Sequence, residues 1–162
     1  MKLLLSAISL ITIFSSSLSA QTLYNRSNER FNKEILEKPT KKQYAIADEY
    51  WINENYDFAL KIYRNIKNEV DQTSFFQYKI GESYAKGMLR RDMDSALFYL
   101  SKAVEKVAAF NPKKGFDYYK NIGDSAPADA YLAYGRVLRI KHKIDTAIEN
   151  FKLYEEFYGA SN

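Results

Sequence analysis

Residues 131–151 read YLAYGRVLRIKHKIDTAIENF, and their pattern of small and large side chains recurs earlier in the chain. Here Gly135 precedes Ala147 by 12 positions, and Ala47 precedes Ala59 by the same 12. In both copies large residues flank the first small residue, and an aromatic residue lies four positions after the alanine. A spacing shared by two distant segments indicates an internal repeat.

A third copy lies between these two. Its small residue Gly81 precedes Ala96 by 15 positions, so it carries a three-residue insertion, which we place at 87–91. Small residues at these positions let two antiparallel helices approach closely, and large flanking residues fill the space between them. The sequence therefore predicts three helical hairpins. The predicted helix pairs are residues 40–53 with 56–69, 73–87 with 92–109, and 128–141 with 144–159.

The repeated pattern, large-x2-large-small-x2-Tyr followed by Ala-x3-aromatic, resembles the tetratricopeptide repeat (TPR), a helix–turn–helix unit of about 34 residues. The resemblance covers residues 40–161 and implies an all-α, helical-repeat solenoid of about three units. The chain departs from the family pattern at the first large position, which is Gln in two copies, and at Leu138, which replaces Tyr. The match recurs three times in phase, which supports the predicted fold. It does not identify a ligand.

The composition agrees with a helical protein. Of the 162 residues, 46% are hydrophobic and only 6 are Gly and 3 are Pro, which leaves few turn formers for a strand-rich fold. The chain has no Cys, so disulfides, thiolate metal sites and a cysteine nucleophile are excluded. Its net charge of +4 is spread along the chain, without the dense basic stripe typical of nucleic-acid readers. Nucleic acid is therefore not an expected partner.

Residues 1–20 have the layout of a cleaved secretory signal peptide. Lys2 is followed by an uncharged, mostly apolar run over residues 3–14 and then by small residues up to Ala20. The apolar run is shorter than the ~20 residues needed to span a bilayer, so we expect cleavage after Ala20 rather than a permanent anchor. The mature chain would begin with a polar leading segment or helix over 21–39. We expect the mature protein in the periplasm, either free or associated with the outer membrane.

Two kinds of segment connect the predicted helices. Residues 53–55 and 92–94 supply turn and N-cap chemistry within hairpins. Residues 111–127 form an insertion between the second and third repeats, broken by glycine and proline. Its aromatic residues, expected to pack across the helices, are Phe116, Tyr118 and Tyr119.

The first helices of the three hairpins are predicted to line the inner curve of the stack. Residues one position after each large core residue, and those four and seven or eight further on, face this groove. They are Tyr44, Asp48, Trp51, Ile52, Tyr78, Glu82, Lys86, Leu132, Arg136, Arg139 and Ile140. An aromatic end and an arginine-rich end suit an extended or helical peptide with apolar anchors and carboxylates. Alternatively, the leading helix covers Trp51 and Ile52, and water solvates the arginines.

The last predicted helix is apolar on two sides, which favours neighbours on two sides. The aromatic residues assigned to this C-terminal interface are Phe151, Tyr154, Phe157 and Tyr158. Repeat arrays usually end in a polar capping helix. We therefore expect another chain, a further part of a longer protein, or self-association to cover this face.

Few residues are candidates for catalysis. The single His142 lies in a predicted basic turn, where a solvated side chain is the ordinary interpretation. Asp92 and Asp94 resemble a fragment of a calcium loop, but the glycine and distal glutamate of that motif are absent. The sequence predicts no enzyme, no metal site and no cofactor.

A second resemblance concerns residues 126–151, with Gly135 and Asp145 to Ile148. This stretch is similar to the N-terminal repeat region of large Gram-negative envelope proteins, in which such repeats precede a β-propeller and an OmpA-type peptidoglycan-binding domain. It implies an exported, non-enzymatic scaffold or adaptor of the cell envelope that binds another envelope or secreted protein or peptide. The alternative is a structural subunit, or the N-terminal fragment of a larger, outer-membrane and peptidoglycan-associated OmpA-like protein.

Overall fold

The computed structural model describes residues 26–108 and 123–159. The chain divides at Pro39 into two units. The described part of the first unit is helical over residues 26–36, with a π-helical segment at Asn32–Leu36. Arg30 and Glu34 form an exposed ion pair of 2.6 Å on this helix. The predicted signal peptide lies outside the described residues.

The described part of the second unit contains six α-helices. They are α1 (Thr40–Ile52), α2 (Tyr56–Ile66), α3 (Ser74–Lys86), α4 (Met93–Ala103), α5 (Asp129–Ile140) and α6 (Ile144–Gly159). Helices α1 and α2, α3 and α4, and α5 and α6 pack as three hairpins, and α2 contacts α3 as α4 contacts α5. Between residues 26 and 159, the described segments contain an isolated bridge and no β-strand. The predicted all-α class is confirmed.

The repeated small residues lie where paired helices come closest. A methyl group added to Gly81 would lie 2.7 Å from Cγ of Leu100, and one added to Gly135 would lie 2.5 Å from Cε1 of Phe151. Leu100 and Phe151 occupy the large position four residues after the repeat alanine. These glycines therefore allow the close contact between the two helices of a hairpin, because the space at either position is too small for one added methyl group.

Helix α3 is at the centre of the second unit. Its residues 76–83 are all buried, because α2, α4 and α5 all contact this helix. A helix buried on every side is normally apolar throughout. This one instead buries Lys79 and Glu82, so both charges must be neutralised by partners from within the fold.

The turns within hairpins differ in length. Residues 53–55 and 141–143 each span three residues, with Glu54 and His142 at φ of 58° and 59°. The turn Gly87–Asp92 has six residues, as the predicted insertion requires.

The predicted cap at Asp92 is confirmed, since its carboxylate accepts hydrogen bonds from the backbone N–H groups of Asp94 (3.0 Å) and Ser95 (3.1 Å). The Ser95 hydroxyl also donates to Asp92, and these hydrogen bonds lower the pKa of the Asp92 carboxyl. The same prediction is wrong for residues 53–55 in one respect. Asn55 occupies the N-cap position of α2, but its side chain makes no capping hydrogen bond.

Helix α4 ends at Ala103, short of the predicted residue 109. The chain leaves the helix there because Val107 pairs with Ala126 in the isolated bridge. The N–H of Ala108 donates to the Ala126 carbonyl, and the N–H of Ala126 donates to Lys106, both at 2.8 Å. The bridge closes the base of the predicted insertion. The aromatic residues Phe116, Tyr118 and Tyr119, expected to pack across the helices, lie outside the described residues.

Candidate binding groove

Two adjoining cavities lie along α1, α3 and α5, the first helices of the three hairpins. The first has a volume of about 500 Å³ and lies between α1 and α3. The second has a volume of about 280 Å³ and lies between α3 and α5. Both are lined by Tyr78, Glu82, Lys86 and Asp129, so they are continuous, and we call them together the groove.

The structure brings most of the predicted groove residues together. Those that line the first cavity are Asp48, Trp51, Ile52, Tyr78, Glu82 and Lys86. Those that line the second are Tyr78, Glu82, Lys86, Leu132, Arg136, Arg139 and Ile140. Tyr44 is elsewhere: it stacks on Phe76 at 5.8 Å and lines a third cavity with Thr40 and Glu69. The Tyr44 side chain on α1 faces the start of α3, so Tyr44 does not line the groove.

Three aromatic rings form one wall of the first cavity. The indole of Trp51 meets Phe75 edge-on at 6.3 Å and Tyr78 at 5.8 Å, while Phe75 and Tyr78 stack at 6.5 Å. Ile52, which is 64% exposed, lies at the edge of this cavity. The sequence interpretation missed Phe75, although its position one helical turn before Tyr78 places both rings on the same side of α3.

Lys79 is the least expected residue of the groove. Its side chain is 3% exposed, and its Nζ lies 2.7 Å and 2.8 Å from the two carboxylate oxygens of Asp48. The ammonium also lies over the rings of Tyr44 (4.6 Å) and Phe75 (4.3 Å), where cation–π attraction offsets part of the lost hydration. Burial lowers the pKa of Lys79, and Asp48 opposes this shift.

Asp48 has a second donor in this cluster. The Tyr63 hydroxyl donates to Oδ1 of Asp48 at 2.6 Å. Burial raises the pKa of Tyr63, with the Asp48 charge acting in the same direction, so the phenol stays protonated. Asp48 therefore joins α1 to α2 through Tyr63 and to α3 through Lys79. Its position on the groove wall is held from two sides.

A second charged pair lies where the two cavities join. Lys86 Nζ is 2.7 Å from the buried Glu82 carboxylate, and it lies 3.2 Å from the Tyr56 hydroxyl. Desolvation lowers the pKa of Lys86, but the charge of Glu82 and the hydrogen bonds outweigh it, and the net shift is upward. Lys86 therefore remains a cation at the centre of the groove.

The second cavity is rich in arginine. Arg136 and Arg139 are exposed on α5, and Arg91 from the turn before α4 joins them. The sequence interpretation missed Arg91 because the inserted turn has no counterpart in the other two repeats. Asp129 and Glu82 are the acidic residues of this cavity. The groove thus passes from aromatic rings with carboxylates to an end where guanidinium groups predominate.

The aromatic residues of the predicted C-terminal interface are all half-buried on α6. Phe151 packs against Gly135, and Phe157 meets Tyr131 edge-on at 5.3 Å, so both contact α5. Tyr154 and Tyr158 lie 4.9 Å apart. The more exposed apolar residues of α6 are instead Ile144 (49%) and Ile148 (45%), one helical turn apart.

The groove offers rings, paired charges and hydrogen-bonding groups. Among the described residues, no group of His, Cys, Asp and Glu side chains is arranged to hold a metal ion. His142 is exposed in its turn, and Asp92 serves as a helix cap. Within 26–108 and 123–159, no helix has the length and apolar character needed to cross a membrane.

In comparisons with known proteins, no family model matches this chain and no curated protein has a significantly similar sequence.

Proposed function

We propose that this protein is an exported, non-enzymatic interaction module with a TPR-like helical-repeat fold. Three hairpins with closely packed small residues, at the spacing of the repeat pattern, support this fold. The groove along the first helices is the observation that carries the function. It collects ten of the eleven residues predicted to face the groove from their register, with Tyr44 as the exception.

The ligand that fits the groove is an extended or helical segment of another envelope or secreted protein. An apolar or aromatic side chain of this segment would occupy the first cavity against Trp51, Phe75 and Tyr78. Its carboxylates would pair with Arg136 and Arg139, because guanidinium groups bind carboxylates in a bidentate manner. Aromatic and arginine residues dominate the energy of most protein interfaces, so these side chains carry the proposal.

Peptide selection tests this function. A random peptide library is displayed and selected on the full chain, and the winners are then measured on Trp51→Ala and on Arg136→Glu/Arg139→Glu. We expect selected peptides with an apolar anchor followed by acidic residues, and a loss of about tenfold or more in affinity for each variant. Phe98→Ser, an exposed change on α4 outside the groove, is the control and should bind as the wild type does. Peptides that bind all variants equally would refute a groove function.

The periplasm is the compartment that this proposal requires, since it rests on the signal-peptide layout of residues 1–20. Cleavage after Ala20 and release into the envelope are testable together by N-terminal sequencing of the protein from a periplasmic extract. Recovery of the uncleaved chain from the cytoplasm would remove the envelope from the proposal and leave only the groove.

A second candidate is a structural subunit of a larger outer-membrane and peptidoglycan-associated assembly. The exposed Ile144 and Ile148 on α6 favour it. In this case Ile148→Asp should abolish assembly while groove variants have no effect. Measuring the native complex size by sedimentation in both variants separates the two functions. Phe151 is unsuited to this test, because it packs against Gly135 and its loss would disturb the fold.

A further inference from the structure

The inserted turn Gly87–Asp92 presents the two most exposed large apolar side chains of the described residues. Met88 is 91% exposed and Leu89 is 84% exposed. Turns are usually polar, and isolated exposed leucines are common, but two adjacent apolar side chains at the tip of one turn are not explained by the groove.

The turn is held in this conformation by Asp57 of α2. The Asp57 carboxylate accepts hydrogen bonds from the backbone N–H groups of Met88 (3.0 Å), Leu89 (3.0 Å) and Arg90 (3.1 Å). Gly87 is buried beside the same carboxylate, where an added methyl group would lie 3.0 Å from Oδ1. The exposure of Met88 and Leu89 is therefore maintained by a specific contact between two hairpins.

A neighbouring turn extends the same surface. Lys141, at the end of α5, pairs with Asp94 at the start of α4 at 2.6 Å, which places residues 139–144 beside the inserted turn. Ile140 and Ile144 in this second segment are both exposed. We define the turn edge as the exposed side chains of 88–91 and 139–144.

The charges of the turn edge are mainly positive. Its basic residues are Arg90, Arg91, Arg139, Lys141 and Lys143, and among them only Lys141 has an ion-pair partner in the described part of the chain. The nearby carboxylates are engaged: Asp57 holds the inserted turn, Asp92 caps α4 and Asp94 pairs with Lys141. Asp145 lies in the first turn of α6, where the positive end of the helix dipole offsets its charge.

We propose that the turn edge docks on the surface of a membrane that contains anionic lipids. Met88 and Leu89 would enter the boundary between headgroups and acyl chains, and Arg90 with its basic neighbours would contact the phosphates. A fluid surface fits these side chains because they project from a convex tip, whereas protein hot spots usually fill complementary pockets. The centre of the turn edge lies outside the groove, since Met88, Leu89 and Arg90 line neither cavity, while Arg91, Arg139 and Ile140 also line the second cavity.

The absence of cysteine allows a local test on the full chain. Leu89→Cys is labelled with an environment-sensitive fluorophore, and Asn68→Cys, exposed in the turn at the opposite ends of the helices, is the matched control. Each protein is mixed with vesicles of phosphatidylcholine alone or of phosphatidylcholine with phosphatidylglycerol. We expect a blue-shifted, brighter label at position 89 with the anionic vesicles, and no change at position 68.

A second variant tests the role of charge. Arg90→Gln in the labelled protein should weaken the vesicle-induced signal about fivefold, since one basic residue near an anionic surface contributes roughly that factor. Rising salt should weaken it further. An unchanged label at position 89 would overturn the proposal. So would equal changes at positions 89 and 68, which indicate binding through another part of the chain, or a response to polyglutamate and not to vesicles, which assigns the turn edge to an acidic protein.

Discussion

Removing the Asp48 carboxylate should destabilise the second unit strongly, because it leaves the buried ammonium of Lys79 without its counter-charge. The Lys79 side chain is 3% exposed, and that of Asp48 is 32% exposed. Breaking a buried ion pair by removing one partner costs about 3–5 kcal/mol. Asp48 keeps some contact with water, so we take the lower end for Asp48→Ala and expect a loss of about 3 kcal/mol. This is a large share of the ~5–15 kcal/mol that stabilises a typical domain.

The reverse change should cost less. Lys79→Met leaves an apolar side chain of similar length among the rings of Tyr44 and Phe75, and the remaining Asp48 carboxylate keeps partial hydration. We expect a loss of about 1–2 kcal/mol. The double variant should lose less than the sum of the single changes, by about 2 kcal/mol, since neither charge is then left alone.

Urea unfolding measures all three variants. Helix content from circular dichroism and fluorescence from the single Trp51, which lies beside the cluster, should report the same transition. The reasoning is refuted if Asp48→Ala costs under about 1 kcal/mol, or if the single costs add in the double variant. Either result would mean that the Asp48 carboxylate and the Lys79 ammonium do not stabilise each other in the folded protein.

Three further outcomes are expected. Gly135→Ala should cost about 1–3 kcal/mol in urea unfolding, because its methyl group would lie 2.5 Å from Phe151, and this strain exceeds the gain in helix propensity. Asp57→Ala should speed hydrogen exchange at the backbone amides of Met88, Leu89 and Arg90, which donate to the Asp57 carboxylate, and should lower the free energy of unfolding by about 1–2 kcal/mol. Lys79 and Tyr63 should make stability depend on pH between pH 9 and 12, about the range in which these groups titrate. Burial lowers the pKa of Lys79, so the free energy of unfolding should rise as the pH approaches 10.5. Burial raises the pKa of Tyr63, so the free energy of unfolding should fall above pH 10.0.

Controls keep these outcomes specific. Arg136→Ala, an exposed change beside Gly135, should leave stability within about 0.5 kcal/mol. Asp57→Asn should retain part of the protection of the turn. For the alkaline series, Lys79→Met should remove the rise with pH and keep the fall. A Gly135→Ala variant more stable than the wild type would contradict the close contact with Phe151. Unaltered hydrogen exchange in Asp57→Ala would contradict the hydrogen bonds that hold the inserted turn. A rise of stability with pH that persists in Lys79→Met would contradict the assignment of that rise to Lys79.

The helices and their pairing were predictable because they depend on local spacing. The 12-residue interval from Gly135 to Ala147 fixes which faces of two helices meet, and the close approach of the Phe151 ring to Gly135 is its consequence. The three extra residues of the middle repeat likewise predicted a longer turn before Asp92. The register of the first helices then brought most groove residues to one surface.

The remaining features depend on contacts between segments far apart in sequence. A lysine in a helix is ordinarily exposed, and the approach of Asp48 and Tyr44 from α1 to α3 makes the burial of Lys79 tolerable. Tyr44 departs from the groove for the same reason, since its ring fits beside Phe76. Similarly, no local pattern indicates that Asp57 accepts hydrogen bonds from a turn 31 residues away.

Site-specific photo-crosslinking in the native cell tests the binding function of the groove most directly. A photoreactive amino acid replaces Ile52 at the edge of the groove or, as the control, Phe98 on an exposed surface of α4. The account predicts that position 52 yields a discrete adduct with another envelope protein, that the adduct disappears when Arg136 and Arg139 are changed to Glu, and that position 98 yields none. An adduct at position 98 alone, or one at position 52 that persists without the arginines, would contradict it.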